Sequence, residues 1–163
     1  MVTLIPKQDK DPKYISNLRP ITLLSTFYKI ISGTITNRLK PIFDRLINKW
    51  QKAYLPNRYI GEVTQNTFDL FFKAKATNIP GIMIQIDFSK AFDSISFEFI
   101  QNTLKLFNFN QLTIDWITTL LKNFESVVMI NGIPTPRINV GRGCRQGDPI
   151  AGYLFILCVE ILL

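Results

Sequence analysis

The stretch GIMIQIDFSKAFDSIS, residues 81–96, joins an apolar run to a polar turn that contains two aspartates. Strand periodicity places the three isoleucines of the run on one face. Residues 82–87 are therefore predicted to form a strand that is buried on its isoleucine face, with Asp87 at its end. Because an unpaired carboxylate is costly to bury, Asp87 needs either a partner in the following loop or a functional ligand.

Hydrophobic periodicity predicts a mixture of strands and helices on both sides of this strand. A short strand over residues 1–7 is followed by a polar loop, and a turn at 78–81 precedes the central strand. The predicted helices share an apolar residue every three or four positions, and they cover residues 26–39, 42–50, 63–76, 97–107 and 112–124. Pro41 is expected to separate the first two.

The residue pattern in the last third of the chain predicts a β-hairpin and a final helix. The hairpin covers residues 126–143, with Asn131-Gly132 in its turn region. Pro149 suits the first turn of the helix after it, with Asp148 as the N-cap. Strands and helices alternate irregularly, which favours an α+β fold over a doubly wound sheet.

Several other side chains are assigned to the core or to a helix end. Ser96 is predicted to cap the helix that follows it. Glu160 is expected to form a salt bridge, and Asp93 is expected to cap the local backbone or pair with Lys90. The residues predicted to pack inward are Phe68, Phe71, Phe72, Trp116, Leu120, Phe124, Cys144 and Cys158.

The residue types present exclude several kinds of site. None of the 163 residues is a histidine, so Ser-His-Asp and Cys-His catalysis and histidine-ligated zinc are excluded. The two cysteines are too few for a disulfide framework, which predicts an intracellular protein with reduced thiols. A bound metal would need oxygen ligands, which favours Mg²⁺ or Mn²⁺. No secretory signal is visible, and the apolar stretch 153–163 is too short to span a membrane.

Positive charge is concentrated in the first 60 residues. They hold 11 Lys and Arg against 3 Asp and Glu, a net charge of +8, whereas residues 61–163 hold 8 against 9, a net charge of −1. A cationic surface of this kind is typical of proteins that bind nucleic acid. A solvated basic face that only aids solubility explains the charge equally well.

Three polar stretches could bind a phosphate-bearing ligand, and each also has an ordinary structural explanation. Asp87 at a strand end suits Mg²⁺, or it caps the next loop. RGCRQGD, residues 142–148, could present donors to phosphates and bases, or it simply connects the hairpin to the last helix. Lys7 and Arg19 each adjoin a proline and could clamp a triphosphate, or they are plain surface charge.

Taken together, these stretches resemble the reverse transcriptase domain of non-long-terminal-repeat (LINE-type) retrotransposons. The matching segments run in family order across essentially the whole chain: LIPKQDKDP, NLRPITLLSTFYKI, QKAYLPNRYIGE, IQIDFSKAFDSIS, WITTLL to VMINGIPT, and GRGCRQGDPI to YLFIL. The pair FSKAFDS and RGCRQGDP, at this separation, is highly specific. Group II intron-type enzymes are similar more weakly.

The resemblance implies an RNA-directed DNA polymerase that uses an RNA template, a DNA primer and deoxynucleoside triphosphates. Asp87 matches the family's first catalytic carboxylate and would bind two Mg²⁺ ions, aided by the backbone carbonyl of Phe88. Phe92 matches the residue that packs under the incoming sugar and rejects a 2′-hydroxyl. The remaining matches to nucleotide-binding positions are Lys7 and Arg19 at the triphosphate, and Arg145, Gln146 and Gly147 beside the nucleotide and template.

The same resemblance implies a piece of a polymerase right hand, with fingers and a partial palm. The implied fingers are residues 1–80 and 126–148, and the implied palm parts are residues 81–125, with the first catalytic aspartate, and 149–163. Ala151-Gly152 stands where Ser-Pro is usual, which predicts a looser start of the last helix, since glycine costs about 1 kcal/mol inside a helix.

The chain contains no Asp-Asp pair, which in the family supplies the remaining metal ligands beyond the last helix. These residues by themselves are therefore expected not to polymerise DNA. Two other interpretations stay open: a basic nucleic-acid-binding remnant without catalysis, and a decayed copy that folds poorly. The sequence does not indicate an oligomeric state or distinguish nucleus from cytoplasm.

Overall fold

The computed structural model describes residues 1–122 and 125–162 and has the mixed α+β composition that the sequence predicts. The helices are α1 (Thr26–Leu46), α2 (Gly61–Ala76), the single turn α3 (Ala91–Ser94), α4 (Phe97–Leu106), α5 (Gln111–Leu121) and α6 (Ala151–Glu160). The strands are β1 (Val2–Pro6), β2 (Leu18–Thr22), β3 (Glu125–Ser126), β4 (Val128–Ile130), β5 (Ile133–Pro134) and β6 (Ile138–Asn139), and a 3₁₀ turn covers Ile15–Asn17.

The main sheet joins the first strands to the hairpin that follows α5. Its strand order is β2-β1-β4-β5. β1 is antiparallel to β2, with Ile5 opposite Arg19, and parallel to β4, with Val2 opposite Val128. β3 and β6 form a separate antiparallel pair. The strand predicted over residues 1–7 is confirmed, and its pairing brings segments that are distant in sequence side by side.

The predicted hairpin is confirmed at its turn and differs in its return arm. Asn131 and Gly132 both have positive φ, 50° and 81°, as a two-residue hairpin turn requires. The return arm is divided into β5 and β6 instead of running continuously over residues 137–143. Pro134 and Pro136 lack the N–H groups that a continuous ladder needs, so the pairing is interrupted between the two short strands.

The hydrophobic core is built around α6. This helix buries seven of its residues: Ala151, Gly152, Tyr153, Leu154, Ile156, Leu157 and Cys158. It packs against α1, α3 and α4, and the rings of Phe43 and Tyr153 lie 5.3 Å apart. A helix that is apolar on all sides has to lie in the interior, which is where α6 lies.

α1 continues through Pro41, so the predicted break is wrong. Pro41 lies inside a helix of 21 residues that ends at Leu46. Proline in a helix interior costs about 3 kcal/mol. Leu39 and Phe43, on either side of it, are 6% and 0% exposed. Burying each of them contributes about 1.5–3 kcal/mol, which offsets the loss when the helix stays continuous.

α2 forms as predicted, but its aromatic residues do not face inward. Phe68, Phe71 and Phe72 are 56%, 60% and 63% exposed, and no residue of α2 is buried. The three rings contact one another instead, at 6.5 Å and 6.1 Å between centroids. The apolar stripe predicted the helix correctly, but it did not identify which element, if any, would cover it.

α5 also forms, with a different buried face from the one predicted. Its buried residues are Ile114, Ile117 and Leu121. Leu112 and Trp116 are 57% and 42% exposed, while Leu120 is half-buried. Phe124 lies outside the described residues. Both faces are apolar at helical spacing, so periodicity alone did not distinguish the face that contacts α4.

The strand predicted over residues 82–87 is absent. Residues 81–88 have no regular secondary structure and every one of them is exposed, Ile82 to 92%. A strand satisfies its N–H and C=O groups only by pairing. None of the strands formed by residues 1–122 and 125–162 pairs with this segment, which is the physical reason that the prediction failed.

Ser96 caps α4 as predicted, since its side chain accepts a hydrogen bond from the Phe99 N–H at 3.1 Å. Burial raises the pKa of Asp93, and the nearby Lys90 ammonium opposes part of that rise. The Glu160 prediction is wrong for the described residues: its Oε1 accepts from the Asn48 N–H at 3.1 Å and is in no ion pair there. Cys144 and Cys158 are buried thiols, as predicted.

Candidate nucleotide site

A backbone clamp fixes the loop 142–148 against the turn α3. The Gly143 N–H donates to the Ile95 carbonyl at 2.8 Å, and the Cys144 N–H donates to the Phe92 carbonyl at 2.7 Å. Gly143 has φ +91°, and a Cβ at this position would lie 2.9 Å from Cα of Asp93. The approach is close enough to require glycine, and it places Phe92 beside the loop.

Asp148 ties the same loop to α1. Its carboxylate is 7% exposed and accepts hydrogen bonds from the Tyr28 hydroxyl at 2.6 Å, from the Ser32 hydroxyl and from the Ile150 N–H at 3.3 Å. The predicted N-cap role is wrong, because α6 begins only at Ala151 and its N-cap is Ile150. Burial first, and then the hydrogen bond to Asp148, raise the pKa of Tyr28, so the phenol stays a donor.

Arg145 is an interior residue of this network. It is 8% exposed, and its guanidinium carbon lies 4.7 Å from the centre of the Tyr28 ring. Its Nη2 donates to the Leu120 carbonyl at 2.8 Å. A guanidinium that stacks on an aromatic ring and binds a main-chain carbonyl fixes the loop against α1 and α5.

A cavity of roughly 690 Å³ opens beside this loop. Five of the residues predicted to bind nucleotide line it: Arg19, Phe92, Arg145, Gln146 and Gly147. They come from β2, from α3 and from the loop before α6, three parts of the chain that are far apart in sequence. A concave site of a few hundred cubic ångströms with several polar groups suits a small-molecule ligand.

Three predicted site residues do not line this cavity. Lys7 Nζ donates to the Ser16 carbonyl at 2.8 Å, which holds the loop between β1 and β2. Asp87 and Phe88 belong to the exposed segment 81–88. The Phe88 ring lies 6.2 Å from Phe155, whose ring lies 5.0 Å from Phe92. These ring contacts attach the Asp87 segment to the side of α6 that carries the cavity.

Four further residues line the cavity and had no ligand role in the sequence prediction: Tyr54, Asp148, Ala151 and Gly152. The sequence contained a signal for three of these four residues. Tyr54 lies within the segment QKAYLPNRYIGE, which carries part of the family resemblance, and Ala151-Gly152 stands where that resemblance led us to expect Ser-Pro. What the sequence lacked was the contact that brings the loop of Tyr54 onto α6.

The described residues do not fit a two-metal site. In residues 1–122 and 125–162, no group of three or more Asp, Glu, Cys or His side chains could hold a metal ion together. Asp87 offers one carboxylate, and two bound ions need more oxygen ligands than one carboxylate and one carbonyl provide. No catalytic step through metal ions therefore follows from these residues.

The chain matches the family model described as "Reverse transcriptase (RNA-dependent DNA polymerase)" over residues 5–163. It therefore belongs to the reverse transcriptase family, whose members generally use divalent metal ions. Together with the relatives described next, the match confirms the prediction from the motifs, namely a reverse transcriptase domain of the non-long-terminal-repeat retrotransposon kind.

Proteins of mobile elements are among its similar sequences. It is 33% identical to the transposon TX1 uncharacterized 149 kDa protein of Xenopus laevis, over 100% of this chain and 12% of that protein. It is 28% identical to the retrovirus-related Pol polyprotein from the type-1 retrotransposable element R2 of Popillia japonica, over 99% of this chain and 22% of that protein. It is 24% identical to the retrovirus-related Pol polyprotein from the type-2 retrotransposable element R2DM of Drosophila melanogaster, over 90% of this chain and 14% of that protein.

The chain thus spans less than a quarter of the length of these relatives. Among the helices of residues 1–122 and 125–162, none combines the length and the hydropathy that crossing a membrane requires.

Proposed function

We propose that this chain forms the nucleotide-binding part of an RNA-directed DNA polymerase and that its cavity receives the incoming deoxynucleoside triphosphate. One observation carries the proposal. Five residues that family motifs assign to nucleotide binding line a single cavity, although they come from three separate parts of the chain. Their convergence on one concave site supports a shared ligand.

Three of the lining residues have side chains suited to parts of a nucleotide. Arg19 is exposed on β2. Its guanidinium is therefore accessible to a ligand and suits the phosphates. Phe92 offers a ring to the sugar. Gln146 is half-buried and supplies amide donor and acceptor groups beside the base. Arg145, held under the Tyr28 ring, supports the loop from behind.

The packing also supports the proposed division into fingers and palm. All strands of the sheet β2-β1-β4-β5 come from residues 1–80 and 126–148, the proposed fingers. The core helices α4, α5 and α6 come from residues 81–125 and 149–163, the proposed palm. α1 belongs to the first part by sequence, yet it packs on α6 and so connects the two.

We also propose Asp87, with the Phe88 carbonyl, as one set of ligands for a divalent ion, Mg²⁺ or Mn²⁺. When bound there, such an ion would offset the negative charge of a nucleotide's phosphates. An RNA template with its DNA primer would bind along the basic first 60 residues, whose charge attracts phosphates without sequence preference. Because an RNA template, its primer and deoxynucleoside triphosphates would be met inside the cell, we propose an intracellular location.

Nucleotide binding to the purified chain tests the proposal. Calorimetric titration with dATP and Mg²⁺ should give one site per chain. Arg19→Ala should weaken it about tenfold or more, because a hydrogen bond to a charged group contributes about 1.5–3 kcal/mol. Gln146→Ala should weaken it less. The matched control is Arg38→Ala, an exposed arginine of α1 that does not line the cavity. Equal loss in Arg19→Ala and Arg38→Ala would refute a specific site.

A second function, a nucleic-acid binder without catalysis, is favoured by one observation. Asp87 lies on an exposed segment, and the described residues bring no carboxylate cluster to it. Under both functions, binding of a template–primer duplex should weaken steeply with salt. The two differ in Asp87→Ala, which should reduce Mg²⁺-dependent nucleotide binding only if Asp87 is a metal ligand. Identical binding by the wild type and this variant would favour the second function.

A further inference from the structure

Tyr54 is an aromatic residue of the cavity that the family motifs leave without a role. Its side chain is 52% exposed, and its ring stands edge-on to Phe92, with 6.2 Å between centroids and 88° between planes. Its backbone has φ +64°, a conformation that is uncommon for a bulky residue. A residue in this conformation persists only where its surroundings hold it.

The loop that carries Tyr54 is held at several points. Leu55, its neighbour, is 6% exposed. Arg58 donates to the Asn48 and Gln51 carbonyls at 2.6 and 2.9 Å and pairs with Asp44 at 2.9 Å. Arg58 thus caps the end of α1 and fixes residues 51–58 on it. The position of Tyr54 is therefore set by the fold rather than by chance exposure.

Gly152 provides the space that the Tyr54 ring occupies. A Cβ at position 152 would lie 2.5 Å from Cδ1 of Tyr54 and within 2.9 Å of two other ring atoms. Any side chain here would displace the ring. The Tyr54 ring therefore lies directly over Gly152, in space that a larger residue at position 152 would fill.

Phe92 is consequently held from two sides. Phe155 contacts it from α6 at 5.0 Å, and Tyr54 contacts it from the loop after α1. We propose that Tyr54, seated over Gly152, is a specificity-determining residue of the nucleotide cavity. It fixes how far the Phe92 ring projects beneath the sugar and thereby strengthens discrimination against ribonucleotides. The inference rests on the proposed nucleotide site and adds a residue to it.

The test compares the affinities of the purified chain for dATP and ATP in the presence of Mg²⁺. We expect the wild type to prefer dATP. Tyr54→Ala should reduce that preference about two- to tenfold, the range for loss of one aromatic pair. Tyr54→Phe should retain it, because the ring remains. Gly152→Ala should reduce it like Tyr54→Ala, and the double variant should show no further loss.

The chain contains a matched control pair. Tyr59 lies over Gly61 in the same way, since a Cβ at position 61 would clash with the Tyr59 ring, yet neither residue lines the cavity. Tyr59→Ala and Gly61→Ala should leave the preference unchanged. Should Tyr54→Ala fail to fold by circular dichroism, Tyr54→Leu, which keeps bulk without the ring, takes its place and should show the same loss.

The outcomes separate the inference from the function on which it rests. Nucleotide binding with equal affinity for dATP and ATP, or with a preference that Tyr54 variants do not alter, overturns the role of Tyr54 and leaves the nucleotide site standing. A wild-type chain that binds no nucleotide overturns both.

Discussion

Asp148 is a buried carboxylate whose acceptors are used by two hydroxyl groups of α1 and by a main-chain N–H. Replacing it with Ala would remove the partner of the Ser32 hydroxyl and leave the Tyr28 hydroxyl only the Leu120 carbonyl at 3.4 Å, at a cost of about 1–3 kcal/mol. We expect Asp148→Ala to lower the free energy of unfolding by about that amount in urea denaturation. Asp69→Ala, on the exposed face of α2, should change it by less than about 0.5 kcal/mol. Equal effects would mean that the network does not stabilise the loop.

Gly143 and Gly141 offer a second comparison at the scale of single residues. Gly143 has φ +91° and no room for a Cβ, whereas nothing lies within 4 Å of a Cβ placed on Gly141. We expect Gly143→Ala to destabilise the protein by about 1–3 kcal/mol, since it adds a strained backbone to a steric clash. Gly141→Ala should be close to neutral. Thermal denaturation of the two variants decides this, and a neutral Gly143→Ala would contradict the backbone clamp.

The two buried thiols predict how stability depends on pH. Burial raises the pKa of Cys144 from 9.0 to about 12, and that of Cys158 to about 11. Above pH 9 the unfolded chain releases protons that the folded chain retains, so the free energy of unfolding falls as pH rises; below that pH the contribution is fully present. We expect a loss of about 1 kcal/mol per thiol between pH 7 and 10. Urea denaturation at both pH values should show a smaller fall for Cys144→Ala than for the wild type.

Among the secondary-structure elements, those specified by local sequence were predictable and those that depend on a distant partner were not. The Asn131-Gly132 turn and the Ser96 cap are local, and both are present. The aromatic stripe of α2 predicted a helix, but its orientation depended on a neighbouring element. Pro41 was misjudged because its local cost is offset by packing contacts on both sides of it.

The same difference between local sequence and distant contacts separates the site residues that could be predicted from those that could not. Motif resemblance named five residues that line the cavity. It did not reveal that Asp148 binds Tyr28 and Ser32, because those contacts span more than a hundred positions. Tyr54 was missed for the same reason, since its neighbours Phe92 and Gly152 lie on other elements.

The exposed segment 81–88 is expected to be poorly protected from hydrogen exchange. Within the described part of the chain, none of the main-chain N–H groups of residues 82–88 donates a hydrogen bond to another main-chain group. We expect these amides to exchange with solvent within seconds, while those of α4 and α6 are protected by their burial. Hydrogen exchange followed by mass spectrometry measures this directly. Protection of residues 82–88 comparable to that of α4 would show that the segment pairs with another strand in solution.

For the molecule as a whole, charge and core lie in different parts of the chain. The first 60 residues carry the net charge of +8, whereas α4, α5 and α6 supply most of the buried apolar residues. Long-range attraction of a polyanion therefore acts on one part while the stability of the core resides in the other. The cavity lies where the two meet, with Arg19 contributed by the basic part and Gly147 by the loop before α6.

The purified 163-residue chain should synthesise no DNA, although it belongs to a polymerase family. The two-ion reaction needs several carboxylate ligands, the sequence has no Asp-Asp pair, and the described residues hold no cluster that replaces it. Incorporation of dTTP on poly(rA) primed with oligo(dT), with Mg²⁺ or Mn²⁺, should equal the blank, while an active reverse transcriptase serves as the positive control. Template-dependent incorporation that disappears in Asp87→Ala would contradict this prediction, because it would show that the chain completes a metal site around Asp87 from its own residues.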